Sequence, residues 1–471
     1  MTIQELMSTA HGAASEPTQR RLSGRGRVVA IIGVGLALLV FSGAWLTWRY
    51  VVRAEQPAHV SVGTLRGKRA IVVTAGVTTL DDLARQHSAD VRRDGDGSVG
   101  VLSDIVVGPG GHLRVSGIVH LRSDSQQVTV LRADGGYLEL DHAAVTAWND
   151  GQPDVTEADG RAEIVASGPR SRLVIQHSQL SRLGSGGVAP GLTWRAGASG
   201  ELRDSEVNDS FRGVYAYQAA IEVVDATISN TEEAGLVIRG ARMGWSLRKL
   251  TVTRSRNDGV DVVDSAPGVI SGLSVSGNGG HGVSVSGGSG MRLVDSQLHD
   301  NKAAGIFASD SSSLQIRNNI IWANREGVSL SDTSADIDHN SASGNIQDGL
   351  LISGYRSRVR VTSERYDHNS RSGIWISDGS VLVTSTVLDR NLTGIRVADD
   401  NPAFSVVSSQ FLNNTKDGLA VTVTSGIAVR SSTFARNGLA AVSGPPKVSV
   451  EGLLQNNKTA KGDTATRVRT D

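Results

Sequence analysis

The chain has 471 residues, 39% of them hydrophobic and 4% aromatic, with 55 Gly, 10 Pro and no Cys; this excludes disulfides, thiol catalysis, collagen and a disordered low-complexity chain. The 47 basic and 47 acidic residues balance overall, but residues 1–53 hold six Arg and two Glu, so the remainder carries a net charge of −4. A mildly acidic body binds nucleic acid poorly, and we expect no nucleic-acid partner.

The first recognisable element is an apolar run of 21 residues without a charge, 28–48. It is long enough to cross a bilayer as a helix. Four Arg lie between positions 20 and 27, so the positive-inside rule places residues 1–27 in the cytoplasm and the body outside it. The alternative is a cleaved signal peptide, since Ser42-Gly43-Ala44 is a small-x-small site. The run continues past that site, which favours a single-pass anchor in the cell membrane.

Residues 49–104 are interpreted as a connector followed by an N-terminal cap. Within them, the segment from Thr79 to Gln86 predicts a short helix, with Thr79 as N-cap and Asp82 at the third position. From Ile105 onward, short apolar runs are cut by Gly, Asn and Asp, a texture typical of strands and turns.

The strongest pattern in the chain is an internal period. A Gly followed by alternating apolar residues recurs with a mean spacing of 22.5 residues, at Gly213, Gly235, Gly259, Gly282, Gly305, Gly327, Gly349, Gly373, Gly394, Gly418 and Gly438. The first and third positions after each Gly are apolar in every repeat, and the position between them varies. Because successive strand residues point to opposite faces, one face of each strand should be buried and the other should meet solvent.

An Asn precedes most of these glycines by three to five residues, at Asn230, Asn278, Asn301, Asn324, Asn345, Asn369, Asn391 and Asn414. Asn tolerates the left-handed backbone, so it predicts a recurring corner. The period is too short for a strand–helix–strand unit. It therefore predicts an all-β, single-stranded right-handed parallel β-helix of about 15 coils over residues 105–457, with a polar, disordered tail at 458–471.

The segment from Asp204 to Val224, DSEVNDSFRGVYAYQAAIEVV, resembles a segment of periplasmic mannuronan C5-epimerases. Gly213, Tyr215, Tyr217 and Ala219 fall on the G, Y, Y and A of that family's pattern. The resemblance extends over roughly residues 70–440 and implies a β-helix that acts on a polyuronate outside the cytoplasm.

The next coil departs from the family. Where the epimerases read D-P-H-D, this chain has Val237, Ile238, Arg239 and Gly240. C5 inversion needs a base and an acid, plus a cation that stabilises the enolate formed from the carboxylate. Of these matching residues, Arg239 suits the cation role, or that of a strained base.

Stacking of adjacent coils predicts a different set of catalytic candidates: Tyr217, Arg239, Asp261 and His281. Asp258 and His281 occupy matching positions directly before the Gly of neighbouring coils. An Asp that orients a His beside a Tyr and an Arg is chemistry suited to a polyuronate lyase or epimerase. The alternative is that these are ordinary turn residues and a solvated Arg.

Substrate-binding candidates are Tyr215, Phe307, Trp375 and Arg396, outward-facing residues in a chain with few aromatics. Exposed aromatic rings beside a serine-rich shelf suit stacking against sugar rings, although scattered surface aromatics are also common. The sequence thus predicts a carbohydrate rather than an apolar ligand.

No metal site or cofactor is predicted. Asp264, Asp310, Asp332, Asp378 and Asp399 follow their glycines by five places and suggest a calcium ladder, but Ser and Gly surround them and calcium requires six or more converging oxygens. Turn formation explains them more simply. Glu326 and Asp348, stacked as like charges, are the best position for an ion if one binds.

These observations together predict a membrane-anchored β-helix outside the cytoplasm that binds a cell-surface polysaccharide and modifies it in the manner of a polyuronate epimerase or lyase. A non-catalytic structural or adhesive solenoid of the cell envelope is the alternative. The two differ in whether Tyr217, Arg239, Asp261 and His281 converge.

Overall fold

A computed structural model describes residues 58–155, 160–186, 189–242, 244–398, 403–422, 426–445, 456–460 and 464–468. Through these ranges the chain winds into a parallel β-helix of about 15 coils, as predicted. The predicted membrane segment, 28–48, lies outside the described residues. Within the described ranges, no helix has the length and apolar content that a membrane crossing requires.

Each coil contributes one strand to each of three faces. The first face, which begins at each repeat glycine, contains Lys68–Thr79, Asp104–Val107, Val130–Ala133, Glu163–Ala166, Gly191–Trp194, Arg212–Tyr217, Leu236–Arg239, Val260–Val263, Val283–Ser286, Ile306–Ser309, Val328–Ser331, Leu350–Ser353, Ser372–Ile376, Thr393–Val397, Asp417–Val421, Ala440–Gly444 and Thr466–Val468.

The second face contains Gly111–Arg122, Tyr137–Asn149, Arg172–Gln176, Ser199–Arg203, Ala220–Val224, Ser246–Arg248, Val269–Ser271, Arg292–Val294, Leu314–Arg317, Ser334–Asp338, Arg358–Thr362, Ser380–Thr384, Ala403–Val407 and Ile427–Arg430. The first two of these strands bend and continue into the third face. The other strands of the third face are Val99–Val101, Gln179–Ser181, Glu206–Asn208, Thr227–Ser229, Thr251–Thr253, Ser274–Ser276, Gln297–His299, Ile320–Trp322, Ser341–Ser343, Arg365–Asp367, Val387–Asp389, Gln410–Leu412, Thr433–Ala435 and Lys458–Thr459.

The core lies inside the coils and is built by the apolar positions that flank each variable residue. Ile395 is 0% exposed and Arg396, its neighbour in the same strand, is exposed, which confirms the inward and outward assignment. The last repeat is an exception. Leu439, which follows Gly438, is 39% exposed, because Asp417 pairs with Ala440 and the strand is displaced along the chain.

The recurring Asn residues have a different role from the predicted one. Of the eight predicted corner residues, Asn230 has a left-handed φ of 55°, and the others do not. From Asn278 to Asn437 the side chains are buried and form a ladder between coils; for example, Asn301 donates from its backbone N and from Nδ2 to Oδ1 of Asn324, at 3.0 and 2.9 Å. The left-handed residue is instead the one before the Asn, such as Asp300 with a φ of 55°.

The parallel ladders extend beyond both predicted bounds of the β-helix. Ala70–Val73 already pairs with Asp104–Val107, so the stack begins before residue 105. At the other end, Lys458 and Thr459 pair with Thr433 and Phe434, inside the segment predicted to be a disordered tail.

The N-terminal coils also carry the elements that do not belong to the three faces. The predicted helix forms at Leu80–Gln86, with the Thr79 and Asp82 side chains in a reciprocal capping box, and it buries Leu80 and Leu83. The three remaining strands pair antiparallel to strands of the coils: His59–Leu65, Val91–Arg93 and Gln152–Pro153.

Candidate functional site

Most of the predicted site residues lie on the outer surface of the first face. One register row, here called the outer column, runs through Tyr215, Val237, Asp261, Ser284, Phe307, Ser329, Leu351, Trp375, Arg396 and Ala420. Tyr217 and Arg239 are register partners in the next row along the strands. Val237, Ser284 and Ala420 are nearly buried in spite of their outward register, so solvent does not reach this face evenly.

The structure brings Asp258, Asp261 and His281 together, and we call this group the acid cluster. Asp258 and Asp261 flank the start of one strand, and His281 occupies the position of Asp258 in the following coil. The backbone N–H of His281 donates to Oδ1 of Asp258 at 2.6 Å. All three side chains are partly buried.

Burial shifts the protonation equilibria of the acid cluster. It is the main cause that raises the pKa of Asp258 above its usual value, against a hydrogen bond from the His281 amide. Burial also raises the pKa of Asp261, and the charge of the nearby Asp258 raises it further. The Ser284 hydroxyl and the charges of Arg239 and Arg212 lower it. Two carboxyls with raised pKa values at close range favour a state in which one holds a proton and the other does not.

His281 is held as a neutral hydrogen-bond donor. Burial lowers the pKa of its imidazole. Nδ1 accepts a hydrogen bond from the backbone N–H of Ala304 at 3.2 Å, which assigns the proton of the neutral ring to Nε2. The ring also stacks on Phe307, with centroids 4.5 Å apart and planes inclined by 17°. With its lone pair engaged, His281 is a poorer base than Asp258.

The other two predicted catalytic residues lie beside this cluster and not within it. Arg239 is exposed, and its charge lowers the pKa of Asp261. Tyr217 is 38% exposed, and the structure of the described residues shows no hydrogen bond or ring contact between it and Asp261 or His281. Tyr215 instead carries the guanidinium of Arg212 over its ring, at 5.1 Å.

A second group, the tryptophan cluster, surrounds Trp375 farther along the outer column. Arg371 and Arg396 lie over the Trp375 ring at 5.2 and 5.4 Å from its centroid. Together with Asp348 and Lys416, these residues line a cavity of about 210 Å³. Three cationic side chains and one indole therefore converge on a single concave position.

Two buried polar atoms of the tryptophan cluster have no hydrogen-bond partner among the described residues, Nε1 of Trp375 and Oδ2 of Asp348. The other Asp348 oxygen accepts from the Ser372 backbone N–H at 2.8 Å, and burial raises the pKa of this carboxyl against the Arg371 and Arg396 charges. Buried polar atoms are normally paired, so water or a bound ligand completes this donor and acceptor beside the cavity.

Protein cations pair with three of the carboxylates that were considered as ion ligands. Glu326 accepts from Nε of Arg325 through both carboxylate oxygens, at 3.0 Å each. Arg356 bridges two members of the aspartate series, at 2.6 Å from Asp310 and 3.3 Å from Asp332, and both aspartates have the left-handed backbone of a turn residue. Asp399 lies outside the described residues.

A wider concavity of about 750 Å³ lies on the second face, with Asp336, Arg358 and Arg360 among its lining residues. Among the described residues its lining contains no histidine and a single carboxyl, so these residues offer no acid–base pair. The first face therefore remains the candidate site.

Coil stacking in the sequence already groups Asp258, Asp261 and His281, with ordinary turn residues as the alternative. The tryptophan cluster was missed, because Asp348, Arg371 and Lys416 were not connected with Trp375. A usable signal was present, because charged residues directly precede the repeat glycines at Asp258, Asp348 and Asp417. Inward or outward alternation does not describe these positions, since they lie at the corner before the strand.

Comparison with known proteins agrees with this architecture. The family model described as right handed beta helix region matches residues 190–342 and 322–452, more than half of the chain. The chain therefore belongs to the right-handed β-helix family, and its coils wind with the predicted right-handed sense. No curated protein sequence matches it.

Solved structures are similar in fold at low sequence identity. A point mutant of the periplasmic alginate epimerase AlgG superposes with a TM-score of 0.63 and 14% identity, covering 79% of this chain and 94% of that one. A second mutant of the same enzyme gives 0.50 and 14%, covering 88% and 95%. The A-module of a mannuronan C-5 epimerase from Azotobacter vinelandii gives 0.41 and 13%, covering 84% and 97%. At this identity the likeness shows the fold alone.

Proposed function

We propose that this protein binds a linear polysaccharide along its first face and cleaves it at the acid cluster. The observation that carries the proposal is the alignment of the two clusters on one column. Asp261 and Trp375 are separated by five register steps, about 24 Å at the usual strand spacing. A small metabolite cannot span that distance, whereas an extended polymer can contact both clusters.

The tryptophan cluster favours sugars that carry a carboxylate. The Trp375 ring offers an apolar surface for a sugar ring, while Arg371, Arg396 and Lys416 supply cations around it. Guanidinium groups bind carboxylates through paired, charge-assisted hydrogen bonds. The similar structures of alginate epimerases support a polysaccharide ligand of this kind.

The acid cluster suits general acid–base cleavage of a glycosidic bond. The charge of Asp258 raises the pKa of Asp261 beyond the effect of burial, so Asp261 is the better proton donor to the leaving-group oxygen. Asp258, whose carboxylate accepts the His281 amide at 2.6 Å, removes the proton from an attacking water. The glycosidic C–O bond breaks as the water oxygen bonds to the same carbon. The Nε2–H of His281 is free to hold a sugar oxygen.

A glycan array followed by product analysis tests this function. The protein should retain an acidic polysaccharide, and NMR of the products should show new reducing ends. With Val237, Ile238 and Arg239 in place of the epimerase residues, polymannuronate should show no C5 inversion. Asp261→Asn should lower the cleavage rate at least about 100-fold without weakening binding. Asp264→Asn, an exposed corner residue of the same coil, is the matched control and should change neither.

Binding is tested separately at the far cluster. Trp375→Ala should weaken glycan affinity about tenfold, because it removes the ring on which the sugar stacks. Binding without cleavage would reject the catalytic part and leave a carbohydrate-binding solenoid. Binding to no glycan would reject the proposal and favour a structural role in the cell envelope.

Residues 28–48 are proposed to anchor the protein in the cell membrane with the β-helix outside the cytoplasm. The full-length protein should then stay with the membrane after alkaline extraction, and external protease should digest the body. Release of a mature chain beginning near Trp45 would show a cleaved signal peptide instead.

A further inference from the structure

Two stacked histidines and an aspartate lie together at a corner far from both clusters. His142 and His177 occupy the same corner position in successive coils, directly after the second-face strand residues Asp141 and Gln176, which are register partners. Their rings stack with centroids 4.8 Å apart and an inclination of 25°. Along the chain 34 residues separate the two histidines, and the coil geometry superposes them.

Asp141 connects the two imidazoles. Its Oδ1 lies 2.9 Å from Nδ1 of His142 and 3.0 Å from Nδ1 of His177. One carboxylate oxygen thus reaches both imidazoles, so the three side chains present ligand atoms to a single position.

Two consecutive coils supply these donors. Asp204, at the corner of the next coil, has Oδ2 4.0 Å from Nε2 of His177, on the other side of the ring from Nδ1, and so does not share the position between Asp141 and the two Nδ1 atoms. Nothing else in the ranges that the structure describes gathers three histidine or carboxylate side chains with ligand atoms so close together.

We propose that Asp141, His142 and His177 bind a divalent transition-metal ion of the zinc type, with a fourth position open to water. One ligand atom from each of the three residues lies within 4.8 Å of the others. Tetrahedral zinc with nitrogen and oxygen ligands needs neighbouring donors about 3.3 Å apart. The Asp141 distances therefore need to open by about 0.3 to 0.4 Å, which side-chain rotation on an exposed corner supplies. Imidazole nitrogen and carboxylate oxygen together suit zinc better than calcium or magnesium.

The chain contains a matched control at the same corner. His339 follows Asp338 in the same register column, with Nδ1 of His339 2.7 Å from Oδ1 of Asp338 and a left-handed backbone. The neighbouring corner residues in that column are Asn318 and Ser363, so the second imidazole is missing there. A His–Asp pair alone would behave alike at both corners.

Metal binding is tested with the untagged full-length chain, using zinc alone in calorimetry and cobalt as a spectroscopic probe. We expect one zinc per chain, a visible absorption band of four-coordinate cobalt, and a higher melting temperature with zinc. His177→Ala and Asp141→Asn should each weaken zinc binding at least tenfold and remove the cobalt band. His339→Ala should leave both unchanged.

Two results would overturn the proposal. One is wild-type protein that gives neither a saturable zinc isotherm nor the cobalt band. The other is equal loss of binding in His177→Ala and His339→Ala, which would indicate nonspecific binding by surface histidines. Neither result bears on the acid cluster, because the corner lies on a different face and the variants alter no first-face residue.

Discussion

Two regions of the β-helix satisfy their corner amides with different side chains, the N-terminal coils at the corner between the second and third faces and the later coils at the corner before the first face. In the N-terminal coils, serine hydroxyls accept these hydrogen bonds: Ala143 N–H donates to Ser178 Oγ at 3.1 Å, and Ser178 N–H to Ser205 Oγ at 3.0 Å. Each hydroxyl then donates within its own coil, as Ser178 does to the Gln176 carbonyl at 2.6 Å. From Asn278 onward, asparagine amides occupy the corner before the first face and form the buried ladder.

The difference lies in how many coils one side chain connects. Asn324 accepts from the backbone and side chain of Asn301 and donates to the Leu298 carbonyl at 2.9 Å, both in the preceding coil. Its Nδ2 also lies 3.5 Å from Oδ1 of Asn345 in the following coil. A serine connects to the neighbouring coil through a single accepted bond. The Asn ladder is also recognisable in the sequence, because a side chain that both accepts and donates between coils recurs as one residue type. The recognisable repeats begin at Gly213, and the family match begins at residue 190.

The largest expected effect tests whether a core residue contributes more to the free energy of unfolding than a corner side chain of either kind. Ile395→Asp should abolish folding of the surrounding coils, because a carboxylate without a partner at a fully buried position costs several kcal/mol. Arg396→Ser, one residue farther along, should cost less than about 1 kcal/mol. Equal shifts of the two midpoints in a denaturant melt would contradict the inward and outward assignment.

The direct test of the comparison removes one corner side chain from each region. Asn324→Ala should cost about 3 kcal/mol, because it leaves buried backbone and side-chain groups of two coils unpaired. Ser178→Ala should cost about 1 kcal/mol, because one accepted bond is lost. Both are measured as changes in the free energy of unfolding by denaturant. A serine variant as destabilising as the asparagine variant would show that the ladder adds no coupling between coils.

Glu364 tests the comparison further. It stands at the corner between the second and third faces, where the preceding coil has the amide side chain of Asn340. Its Oε1 accepts from N and Nδ2 of Asn340 at 2.7 and 2.9 Å, and burial raises its pKa to about 8. The folded state holds this proton where the unfolded state has lost it, so stability should fall as pH rises from about 4.5 to about 8 and level off above. Glu364→Gln should remove that slope and gain about 2 kcal/mol at pH 8. Parallel pH profiles of the two proteins, measured by thermal melting, would contradict a buried neutral carboxyl.

Much of the fold could be predicted because the same residue types recur at equivalent positions of successive repeats. The apolar pair after each Gly, exemplified by Ile374 and Ile376, is buried as the alternation requires. Leu439 shows the limit of this reasoning, because its local pattern is intact while the strand pairing that positions it is shifted. The Asn residues show another limit, since their partners lie in the next coil and local turn propensity does not reveal them.

The sequence by itself determined the repeat, the strand alternation, the capping helix and the apolar segment at 28–48, because each depends on neighbours along the chain. Tertiary structure decided which side chains of different coils touch: the His281 amide with Asp258, Trp375 with Arg396, and His142 with His177. The physical reason is the stacking of coils about 4.8 Å apart, which brings residues 20 to 35 positions apart into contact. Small differences in coil length decide which of them share a column, and pairing between strands sets that register.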